Sequence, residues 1–79
     1  MKTVKITLGT FDRVNALAQQ LTRFPYDFDL VSGRYVVDAK SVMGILSLDL
    51  NNALDLNIFA PDEKLQEILS ALDSFIVKE

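Results

Sequence analysis

Imidazole and thiolate serve at many reacting centres, and this chain has neither: its 79 residues include no His and no Cys. A serine therefore has no His base to activate it, a thiolate nucleophile cannot form, and thiolate metal sites are closed. Hydroxyls and carboxylates remain. In "DAKSVMGILSLDL", residues 38–50, Ser41 follows Lys40 and precedes the apolar run Val42, Met43, Ile45 and Leu46. A serine so placed is an N-cap, its oxygen accepting from an amide of the first turn, worth about 1 kcal/mol. The same position tolerates a phosphate, because helix N-termini present free amides and a favourable dipole. The carboxylates say less. Asp27 and Asp29 share one strand face, while Asp49, Asp55, Asp62 and Glu63 are dispersed. A calcium loop needs a dense array of oxygen ligands around a Gly, so these acids read as solvated surface. With no phosphate-cradling Gly loop and no paired Cys motif, no cofactor or metal is expected.

The elements that must position Ser41 follow from periodicity. Thr3 to Leu8 alternates, with Val4, Ile6 and Leu8 on one face, and predicts a half-buried strand. After Gly9, the residues Phe11, Val14, Leu17, Ala18 and Leu21 recur at helical spacing, and Pro25 ends that helix near Phe24. Tyr26, Phe28 and Leu30 alternate with Asp27 and Asp29. Ser32-Gly33 then predicts a two-residue hairpin turn, and Tyr35 and Val37 continue as a third strand. Beyond Ser41 a helix of two or three turns places Val42, Ile45 and Leu46 towards the sheet. Met43, Leu48 and Leu50 then fall on other sides, so the helix is either tucked under the next loop or left with an apolar patch for a partner. Leu54, Leu56 and Ile58 predict a fourth strand. A last helix opens with Pro61 at its first position and Asp62 and Glu63 at the positive end of its dipole. Its stripe is Leu65, Ile68, Leu69, Leu72, Phe75 and Ile76.

The string βαββαβα, with one apolar face on every strand, predicts an α+β domain spanning 1–79, an antiparallel sheet with three helices on one face. Periodicity leaves strand order open, since a ferredoxin-like arrangement has nearly the same string. At 79 residues with a net charge of -3 and scattered basic side chains, the chain lacks the clustered cations that nucleic-acid binding requires. Its apolar runs fall far short of a membrane span, and its first residues do not read as a leader. A cytoplasmic, non-enzymatic protein is expected.

"SGRYVVDAKSVMGILSLDL", residues 32–50, resembles the phosphocarrier HPr family of the bacterial sugar phosphotransferase system. The shared features are a glycine turn, a strand, then Lys40-Ser41, an apolar residue, Met43 and Gly44. The likeness extends more weakly over the whole chain. It implies the HPr-like open-faced β-sandwich and its strand order. It also implies two separable functions. The phosphocarrier role uses a His at the start of the first helix, followed by Arg and Pro, roughly Gly-Leu-His-x-Arg-Pro. In "GTFDRVNALAQQL" those three positions fall on Arg13, Asn15 and Ala16. A guanidinium stays protonated and cannot accept a phosphoryl group, so no phosphohistidine is expected. The second function is regulatory. In family members from low-GC Gram-positive bacteria an ATP-dependent kinase phosphorylates the serine of the Lys-Ser motif, and the modified surface binds a transcriptional regulator. By this resemblance Ser41 is the modified residue, and Lys40, Val42, Met43 and Leu46 form the adjoining partner surface. A paralogue lacking the His and serving only catabolite repression is known in the family. The chain departs from the family spacing by one extra residue between Gly33 and Lys40, at Val36-Val37-Asp38, which a bulge in the third strand would absorb.

Two other classes compete with a regulatory module. One is an unorthodox phosphocarrier, for which Asp12 is the nearby acceptor. The other is a ferredoxin-like domain binding a small ligand in a pocket at a sheet edge or dimer interface, against which stands the lack of a Gly-rich ligand loop.

Overall fold

The computed structural model describes residues 1–77. Its elements run β1 (Lys2–Ile6), α1 (Phe11–Thr22), β2 (Asp27–Ser32), β3 (Tyr35–Asp38), α2 (Val42–Leu46), β4 (Leu54–Phe59) and α3 (Asp62–Ala71). The four strands form one sheet in the order β1-β4-β2-β3, and every neighbouring pair is antiparallel. The order that periodicity left open is thus the open-faced one.

The alternating residues lie where their pattern puts them. Ile6 stands opposite Leu54, and Leu56 and Ile58 stand opposite Leu30 and Phe28. All six are buried. Against them pack Val14, Leu17 and Leu21 of α1, Ile45 of α2, and Ile68 of α3 with Leu72 and Phe75 behind it. The other face is polar: Lys5 pairs with Asp55 at 2.8 Å, and Thr3 donates to Asn57 at 2.7 Å. Among the described residues no polar or charged side chain is buried, so apolar burial at roughly 25 cal/mol per Å² drives the fold.

Local chemistry sets the element ends. Thr10 Oγ1 accepts from the Arg13 amide at 3.2 Å and caps α1. At the far end, the amides of Arg23 and Phe24 turn back to Gln20 and Leu21, just before Pro25.

Several expectations need correcting. The β2–β3 turn is Gly33-Arg34, because Ser32 already pairs with Tyr35. Gly33 has φ 58° and Arg34 does not share a positive φ, so glycine occupies the first central position of a II′-like turn. Pairing continues without interruption from Ser32↔Tyr35 to Asp29↔Asp38, so β3 carries no bulge. The chain turns after the strand instead, where the Ser41 amide donates to the Asp38 carbonyl at 3.0 Å. Phe11 is 56% exposed and contributes no core face. It sits in the first turn, before α1 reaches the sheet. Pro61 is the N-cap of α3, not its first helical residue. That helix also stops at Ala71, and Phe75 and Ile76 reach the core from a turn beyond it. Helical spacing carried on past Leu72, but the backbone there leaves the helix so that Ile76 can bridge to Ile6. Finally, α2 is only five residues long, and Leu46 is 40% exposed instead of facing the sheet.

Candidate functional site

The Lys40-Ser41 corner is built by β3 and α2. Asp38 closes β3 and organises the turn: its carbonyl accepts from the Ser41 amide, and its carboxylate Oδ1 accepts from the Lys40 amide at 2.9 Å. Ser41 then leaves the turn extended, with φ -100° and ψ 109°, as an N-cap must. Its Oγ accepts from the Gly44 amide at 3.2 Å, and its carbonyl accepts from Ile45 at 3.0 Å. The cap role expected of Ser41 is present, and the residue remains half-buried at the surface.

Gly44 makes this corner possible. A Cβ there would lie 3.3 Å from Val37 Cβ and 3.4 Å from Ser41 Oγ. The missing side chain lets α2 lie against β3 while the serine stays capped. Ser47 Oγ donates to the Gly44 carbonyl at 2.6 Å and closes the other end of the short helix.

The four side chains expected to adjoin Ser41 differ in what they offer. Met43 is 81% exposed and Leu46 is exposed beside it. Val42 is half-buried against the core. Lys40 is turned inward. Its Nζ donates to the Phe24 carbonyl at 2.8 Å and stands 5.6 Å from the centre of the Phe28 ring. The ammonium thereby fastens the Asp38–Ser41 turn to the end of α1. Sequence spacing held no sign of this, because the partner is a main-chain carbonyl sixteen positions away.

Arg13, Asn15 and Ala16 lie on the first turns of α1, where the resemblance placed the lost carrier site. Arg13 is engaged in structure. Its Nη2 donates to the carbonyls of Thr7 at 2.7 Å and Ser74 at 3.2 Å, and its guanidinium lies 4.9 Å from the centre of the Phe75 ring. It clamps the β1–α1 loop to the C-terminal segment. Asn15 is half-buried, while Ala16 and Asp12 are exposed. The two helix starts belong to one layer, since α1 packs against α2. Among the described residues no group of His, Cys, Asp or Glu is arranged to hold a metal ion.

Comparison with known proteins agrees with this geometry. A family model, "PTS HPr component phosphorylation site", matches residues 3–78. The HPr-like protein Crh of Bacillus subtilis (strain 168) is 32% identical over 77 residues, which cover 96% of this chain and 91% of that one. Among solved structures, HPr-C-His from Thermoanaerobacter tengcongensis superposes with a TM-score of 0.76 at 27% identity, covering 94% of this chain and 89% of the other. The phosphocarrier protein HPr of Bacillus anthracis str. Ames gives 0.70 at 27% identity, covering 96% and 94%. By sequence match and by fold, the chain belongs to the HPr family of the phosphotransferase system.

Proposed function

We propose that this chain is a single-domain regulatory member of the HPr family, without phosphohistidine carrier activity, controlled by phosphorylation of Ser41. One observation carries the reading: the chain contains no His, yet keeps a Lys40-Ser41 corner with a capped helix and an exposed Met43 beside it. The carrier half of the family's chemistry has lost its acceptor, and Arg13 is committed to two main-chain carbonyls. The residues the regulatory half would use are Lys40, Ser41, Val42, Met43 and Leu46.

A phosphate on Ser41 would add about -1.5 to -2 charge at the start of α2. The partner surface is centred on Met43 and Leu46, with Val42 at its inner margin and Lys40 holding the corner in position. Met suits such a surface because its flexible thioether adapts to varied contacts. The partners are proteins, a serine kinase and a transcriptional regulator of the kind the family uses, in the cytoplasm. The protein itself is no enzyme and needs no cofactor.

Intact-mass spectrometry after incubation with ATP and the family's serine kinase tests the reading. One added phosphate is expected, lost in Ser41→Ala, and no phosphoryl transfer is expected from the upstream phosphotransferase enzyme. An unmodified mass, or phosphoryl transfer from that enzyme, would overturn it.

A further inference from the structure

The two edges of the sheet are treated differently. On the β1 side the C-terminal segment lies along the strand: Thr7 donates to the Phe75 carbonyl and Val77 donates to the Lys5 carbonyl, both at 2.9 Å, and Ile76 bridges to Ile6. Among the described residues the β3 edge has no such cover. Hydrogen-bonded pairs alternate along an antiparallel ladder, and Ala39 donates to the Phe28 carbonyl at 2.9 Å. That fixes the phase: Tyr35 and Val37 bond to β2, while Val36 and the Asp38 amide face outward. Among the described residues no further hydrogen bond reaches the Val36 main chain.

Natural edges are blunted by short length, charge, Pro or a bulge. β3 is short and ends in Asp38 but carries no Pro, Lys or bulge, and Tyr35 and Val36 are 71% and 60% exposed. We infer that β3 pairs antiparallel with β3 of a second copy of this chain about a two-fold axis through Val36. The chain's own charges select that register. With Val36 opposite Val36 of the second copy, each Arg34 stands across from an Asp38, and each Tyr35 stands across from a Val37. Both charge pairs are attractive, and an isologous contact repeats them. Slipping the register by two residues sets Asp38 against Val36 and loses both pairs. Four-residue strands bury little surface, so the dimer is weak and concentration-dependent.

Sedimentation of the full chain over a concentration series tests the pairing, together with amide exchange at Val36 and Asp38. A dimer fraction rising with concentration is expected, with those two amides slowing in parallel. Val36→Pro removes an amide that bonds nothing within the protomer, so the monomer folds and the dimer disappears. Arg34→Asp sets like charges face to face and weakens association by about tenfold or more. The second variant keeps the inference testable should the proline disturb the hairpin. A monomer at every concentration, or association unchanged in Arg34→Asp, would overturn the inference. So would a dimer that survives Val36→Pro in a folded protein, as one made by strand exchange would.

Discussion

Ser41 performs a structural task of its own. Its Oγ satisfies the Gly44 amide, so Ser41→Ala is expected to lower stability by about 1 kcal/mol, read as a shift in the urea midpoint with unchanged slope. Lys40 and Arg13 act alike on a larger scale, each bringing a cation to a main-chain carbonyl in a connecting segment. Neither role was legible in the sequence. A carbonyl has no residue type, so no motif announces a side chain that seeks one. The Ser41 cap, by contrast, was readable because donor and acceptor lie three residues apart, within the span that local pattern covers. Arg13→Ala should cost about 1.5–3 kcal/mol, the range for a hydrogen bond to a charged group. It should also speed amide exchange at Thr7 and Val77, which share the clamped segment. Stability equal to the parent chain would mean that the clamp carries no net energy.

At the scale of elements, α2 is decided by two residues that face opposite ways. Ile45 is fully buried and Met43 almost fully exposed. Ile45→Ala should therefore cost about 2–5 kcal/mol, whereas Met43→Asp should leave the thermal midpoint nearly unchanged, since surface substitutions seldom exceed about 0.5 kcal/mol. Loss of folding in Met43→Asp would place that side chain in the core. The strands and α1 were legible because period 2 and period 3.6 each recur over several residues. The reading failed at boundaries, where a contact distant in sequence wins. Phe75 and Ile76 keep helical spacing after Leu72, yet the main-chain bonds to Lys5 and Thr7 draw them out of the helix. The β3 bulge failed for a related reason. A chain can turn after a strand as well as bulge within it, and here β3 pairs without interruption before the chain turns at Asp38–Ser41.

Over the whole molecule, the strand order β1-β4-β2-β3 interleaves distant parts of the chain. The strand bordering β1 is β4, so Ile6 meets Leu54 across forty-eight positions. Pairings this remote slow folding, because loop closure must be met before they contribute. The order has a consequence during synthesis. A nascent chain that has exposed only β1, α1, β2, β3 and α2 holds a single hairpin, and a lone two-stranded hairpin is at best marginally stable in water. The first strand has no neighbour until residues 54–59 emerge, and its other flank stays open until Phe75 and Val77 arrive to bond Thr7 and Lys5. The sheet can thus close only after residues 54–77 have emerged, and β1 is among the last strands to find its place.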